Sequence, residues 1–202
     1  MAFGAIKMCA SDSYEETGIQ KDSWGLMRFW VNGKNIFRYK NNVPAESYHW
    51  NLSHIASWFS ERIGIIMAAE PFPLLVKGKN SIELMEQCEK FDSEDSDEYD
   101  RWHEIRFEWN EKHGFIAERD GSLLPMTYFR KVKDQIEIAW DNRDLYDNQN
   151  VEFFYLVGVE LIDAEVFYKV ILDFLNSFFK TFEHAYPKEI AKYKSMLQGL
   201  HN

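Results

Sequence analysis

The sequence predicts an α+β protein, in which an antiparallel sheet of about five strands (two hairpins plus one strand) packs with about four or five helices. Three observations carry this. Asn32-Gly33 joins two short apolar segments, and a second alternating pair flanks Lys133-Asp134. Between and after these hairpins, apolar residues recur at helical spacing. The expected organisation is an irregular lead-in over 1–22, then a single α+β domain over 23–202.

In residues 23–40, Trp24, Leu26, Arg28 and Trp30 alternate with Met27, Phe29 and Val31. Asn-Gly is the preferred pair for a type I′ turn, since both positions need positive φ. Ile36–Tyr39 is the expected return strand. Pro44 lies in a connection, and a helix is predicted over about 48–69, with Leu52, Ile55, Ala56, Phe59, Ile63 and Ile66 on one face. Pro71 and Pro73 close it. A short helix follows over 81–90, with Ser81 as N-cap and Glu83 near the positive end of the dipole.

Residues 91–101, FDSEDSDEYDR, form the most acidic run. A helix starting near Ser96 carries Tyr99, Trp102, Ile105, Arg106 and Trp109 along one side and stops at Gly114. Acidic residues at a helix start are stabilising, so helix chemistry alone explains much of the run. The second hairpin is predicted as Met126–Val132, a turn at Lys133-Asp134, and Gln135–Trp140. Residues 141–150 read as a polar loop and 151–158 as a buried strand. Asp163 caps a helix to about His184 with a wide apolar stripe, and Pro187 begins a last helix over about 187–199.

Composition bounds the function. The 202-residue chain has 46% hydrophobic residues, seven Trp, sixteen Phe and ten Tyr, enough to build a core without staples. Cys9 and Cys88 are its only cysteines, so no disulfide framework is expected and a cytoplasmic protein is the simplest reading. The start of the chain lacks the pattern of a signal peptide, and no apolar stretch approaches the roughly 18 residues of a membrane helix. A net charge of −10 opposes binding to nucleic acid or anionic lipid and permits a basic protein partner.

No complete catalytic motif is present. His103-Glu104 begins like a zincin helix, but position 107 is Phe where the second histidine ligand belongs. The six histidines are dispersed, and no cofactor or resident metal is expected. Cys88 sits on an amphipathic helix, where an inert buried thiol is usual. Asp120, Glu137 and Asp141 (with Asp144, and Lys131 or Lys133) could converge at one end of the second hairpin as a Mg²⁺ site, the alternative of a metal-dependent hydrolase or nuclease. Turn-forming Asp and exposed strand Glu account for the same residues. On the first hairpin both faces carry aromatics, which suggests that Trp24 and Trp30 anchor a partner.

Several segments together resemble a known module: W-G-L-M-R-F-W-V-N-G (Trp24–Gly33), W-N-L…W-F (Trp50–Phe59), W…R-D-G-S-L-L-P (Trp102 to Pro125), F-R-K (Phe129–Lys131) and I-E-I-A-W (Ile136–Trp140). It is a poorly characterised bacterial module that occurs beside ImmA/IrrE-type metallopeptidase domains in mobile-element and defence genes. The peptidase's metal motif is missing here, so the resemblance implies an accessory or sensor role and carries no catalytic residue. The expectation is a non-enzymatic, protein-binding accessory or immunity-type protein. Asp92, Glu94, Asp95, Asp97 and Glu98 would steer a basic toxin or effector toward the aromatic patch. A homo-oligomer is also compatible.

Overall fold

The structure is a computed structural model and describes residues 2–3, 7–8, 17–41, 43–45, 48–115, 124–143, 145–146 and 150–198. In chain order the elements are β1 (Ala2–Phe3), β2 (Lys7–Met8), α1 (Gly18–Asp22), β3 (Trp24–Met27), β4 (Phe29–Val31), β5 (Lys34–Asn35), β6 (Tyr39–Asn41), β7 (Val43–Ala45), β8 (Tyr48–Asn51), α2 (Leu52–Met67), α3 (Ser81–Glu89), α4 (Ser96–His113), β9 (Gly114–Phe115), β10 (Thr127–Val132), β11 (Gln135–Asp141), β12 (Glu152–Phe153), β13 (Val157–Asp163), α5 (Ala164–Phe182) and α6 (Pro187–Gln198). The α+β class holds. In place of one five-stranded sheet there are, among the described residues, four small antiparallel sheets, ordered β1-β4-β5, β13-β11-β10-β9, β12-β6-β7 and β2-β3-β8.

The first hairpin shows why one sheet became several. Asn32 (φ 46) and Gly33 (φ 79) make the expected turn, and Val31 faces Lys34 across it. The return strand, however, is only β5. Ile36 and Phe37 are consecutive and both buried, which an alternating strand open on one side does not allow. The chain turns there instead, with Arg38 N–H donating to the Asn35 carbonyl. On the outgoing side, Trp24–Met27 pairs with β8 and β2, while Phe29–Val31 pairs with β5 and β1. The stretch expected to be an irregular lead-in thus contributes β1, β2 and α1, whose Ile19 enters the core.

The helices follow their sequence signals, except that the helix expected from about 48 begins at Leu52, because Tyr48–Asn51 pairs with β3 as strand β8. Asn51 caps α2, Asp95 caps α4 and Asp163 caps α5, each by a side-chain oxygen accepting backbone N–H groups of the first turn. The cap of α3 is Asn80 rather than Ser81, which is the first helical residue and fully buried. Gly114 ends α4 in an extended conformation; a Cβ there would lie 2.7 Å from the Asn110 carbonyl oxygen.

The β10–β11 hairpin organises the molecule. Its register runs from Thr127↔Trp140 to Val132↔Gln135, with Lys133 at φ 57 in the turn. Phe129, Ile136, Ile138 and Trp140 point to one face and join α2, α5 and the first hairpin in the main core. Tyr128 and Ala139 point to the other, where Ile82 and Met85 of α3 and Trp109 of α4 form a second, smaller core. The buried strand expected at 151–158 is replaced by the two-residue β12 and the longer β13. At Phe154 the chain leaves β6, and from Val157 it pairs with β11. Gly158 lies opposite Trp140, and any Cβ there would overlap the indole at 2.1 Å.

Candidate functional site

Glu137 and Asp141 lie on one face of β11, four residues apart. At about 3.4 Å per residue their Cα atoms are separated by roughly 13 Å, too far to share a metal ion. Each is already held by arginine. Glu137 is buried, and Arg130 donates to it from Nε and Nη2, both at 3.0 Å. Its Oε1 also accepts from Ser81 N (2.7 Å) and Ser81 Oγ (2.5 Å). Four donors on one carboxylate tie the start of α3 to the middle of the sheet. Asp141 takes two bonds from the Arg143 side chain, and Arg143 reaches Glu86 of α3 at 2.6 Å. Burial pushes the Asp141 carboxyl up, but its hydrogen bonds to Arg143 outweigh this and hold it below its ordinary value. The site therefore does not assemble from these two residues; Asp120, the third, lies outside the described residues, as does Asp144. Among the described residues no group of three His, Cys, Asp or Glu could hold a metal ion.

The other candidate reactive groups are buried or dispersed. Cys88 is fully buried, and burial raises its thiol pKa, which opposes thiolate formation. His113 is buried against Trp109, with Nδ1 2.8 Å from the Phe129 carbonyl. Phe107, in the zincin-like position, points to solvent and is 61% exposed.

The aromatic patch expected on the first hairpin is not an open face. Trp24 is only 4% exposed and packs on His49 and Trp50 of β8. Trp30 is half-buried in the sheet with β1 and β5. The β2-β3-β8 sheet accounts for the burial, and its formation could not be read from the hairpin alone.

Asp92, Glu94, Asp95, Asp97 and Glu98 are all exposed. Two of them are engaged in starting α4: Asp95 caps the helix, and Glu98 accepts from Ser93 Oγ at 2.7 Å. The acidic character continues along the helix. Asp97, Asp100, Glu104, Glu108 and Glu111 are exposed and share one side at 100° per residue, with Phe107 among them. Trp102, Ile105, Trp109 and His113 occupy the opposite side. None of these five carboxylates is in an ion pair among the described residues.

A second open surface follows β12. Of nine exposed large hydrophobic residues among the described residues, six (Phe154, Leu156, Val157, Val159, Leu161 and Val166) fall between 154 and 166. Sequence reading missed this surface because it took 151–158 as buried. The alternation of Val157, Val159 and Leu161 with Gly158, Glu160 and Ile162 was the available signal.

No helix among the described residues is long and apolar enough to cross a membrane. Compared with protein-family models, with curated proteins and with solved structures, the chain matches none.

Proposed function

We propose that this protein is a non-enzymatic binding module that captures a basic protein partner through the outward face of α4. The observation that carries this reading is the line Asp97, Asp100, Glu104, Glu108 and Glu111 around the exposed Phe107. Clustered carboxylates raise the association rate of a cationic partner, and a protruding aromatic ring supplies an anchor that becomes desolvated on docking. The arginine-bound state of Glu137 and Asp141 favours binding over hydrolysis. The resemblance to modules beside ImmA/IrrE-type peptidases suggests the setting: a cytoplasmic accessory or immunity-type protein of a bacterial defence or toxin system, with a toxin or effector as the basic partner.

The test is affinity capture from native cytosol with wild-type protein, repeated at high salt and with two variants. One variant carries Glu104→Lys, Glu108→Lys and Glu111→Lys; the other is Phe107→Ala, which leaves folding stability within about 0.5 kcal/mol because the ring is solvated. A stoichiometric basic protein, lost at high salt and lost with either variant, is the expected result. Capture that ignores both salt and the α4 substitutions would remove the reading.

A further inference from the structure

We propose that β13 is the seam of a two-fold homodimer, formed by antiparallel pairing with β13 of a second copy. This rests on the sheet edge and is independent of α4 and its partner.

β13 is a regular seven-residue strand at the edge of the β13-β11-β10-β9 sheet, paired on one side only, with β11, among the described residues. Long edge strands are normally protected by Lys, Pro, a bulge or a covering element, because their free N–H and C=O groups recruit other strands. Here residues 144–168 contain no Lys, Arg or Pro. The strand instead presents Val157 (50% exposed), Val159 (39%) and Leu161 (46%) on its open face. On the neighbouring strand the corresponding face, at Glu137 and Ala139, is covered by α3.

The residue order selects a second copy as the occupant. A two-fold axis normal to the sheet pairs residues of like facing. Only an axis at Val159 sets every stripe residue against a stripe residue: Val159 opposite Val159, and Val157 opposite Leu161 of the second copy. It also places Leu156 against Ile162, and Glu160 against Gly158, which has no side chain. An axis one residue later, at Glu160, would oppose two carboxylates.

The charge distribution fits the same register. Glu160 is matched within its own chain by Lys34 Nζ (2.6 Å) and Asn32 Nδ2 (2.7 Å), which hold its carboxyl below the usual range. Asp163 is engaged in capping α5. Glu160, the one carboxylate inside the stripe, is thus charge-paired within its own copy, and Asp163 lies at the end of the strand, on a chain of net charge −10. Seven residues span about 23 Å. Together with Phe154, Leu156 and Val166 they supply the backbone pairing and apolar centre of an interface, for which about 800 Å² per partner is usual. Because the two copies repel at long range, added salt strengthens the dimer, whereas it weakens capture of a basic partner by α4. The two salt responses have opposite signs, so failure of one reading is distinguishable from failure of the other.

Sedimentation of the purified full chain tests the proposal. Wild type is expected at twice the 24.0 kDa chain mass, more completely at high salt, and Val159→Lys at the single-chain mass with unchanged circular dichroism. Register is read by mild oxidation in a Cys9→Ser background. Val159→Cys is expected to cross-link across the axis. Leu161→Cys is not, since its copies stand four residues apart along the seam, about 13 Å. A wild-type monomer at all concentrations and salts, a Val159→Lys dimer, or equal cross-linking at 159 and 161 would each overturn the assignment.

Discussion

Helices α4 and α5 have nearly the same length, and each begins on an aspartate that caps its first turn. α5 buries eight residues, six of them Phe or Leu, in the main core. Over its eighteen residues α4 buries only Trp109 and His113. The difference lies in the apolar arc. α5 repeats large apolar residues (Phe167, Ile171, Phe174, Leu175, Phe178 and Phe182) at helical spacing through five turns, whereas α4 concentrates its contact in Trp102, Ile105 and Trp109 and gives the rest of its surface to charge. A capped helix can thus be held in place by a few large aromatic contacts, leaving most of one side for another purpose.

The comparison breaks most visibly in the core. Phe178→Ala is expected to cost about 3–5 kcal/mol in urea unfolding, because Phe178 is fully buried among Phe174, Phe179, Phe182 and Tyr193. A loss comparable with that of the α4 variant Phe107→Ala would mean that the two helices do not differ as described. Glu137→Ala tests the layer between the helices. Removing a buried carboxylate leaves Arg130 and Ser81 without their acceptor, so a loss of about 3 kcal/mol is expected, and Mg²⁺ should not change the melting temperature of the wild type. A metal-dependent rise abolished by the substitution would restore the hydrolase alternative.

A smaller effect sharpens the role of α4. Burial lowers the His113 pKa; the bond to the Phe129 carbonyl and nearby Glu70 act against this, and Lys112 and Arg130 with it. The folded state therefore favours neutral imidazole. The associated stability is fully present above the unfolded histidine value of about 6.5 and is lost as pH falls through the lowered native value. Denaturant midpoints measured from pH 7 downward should fall over that range for wild type and fall less for His113→Gln. Equal slopes would show that His113 does not carry the effect.

Much of this architecture was legible in local chemistry. The Asn32-Gly33 turn, the β10–β11 hairpin, the Asp163 cap and the Pro187 start each depend on one or two residues whose backbone preferences act within a few positions. The register of the second hairpin even places Arg130 opposite Glu137, so their ion pair could have been drawn from the sequence. What the sequence by itself determined was therefore the class, most helices and the acidic, motif-poor character of the surface. Only the tertiary structure decided which faces were covered: that β8 closes over Trp24, that Ser81 and Arg130 occupy Glu137, and that among the described residues the stripe on β13 stays exposed. The physical reason is range. Turns and caps are set by neighbours in the chain, whereas coverage is set by segments such as β3 and β8, or α3 and β11, that lie far apart in sequence and meet only when the cores form.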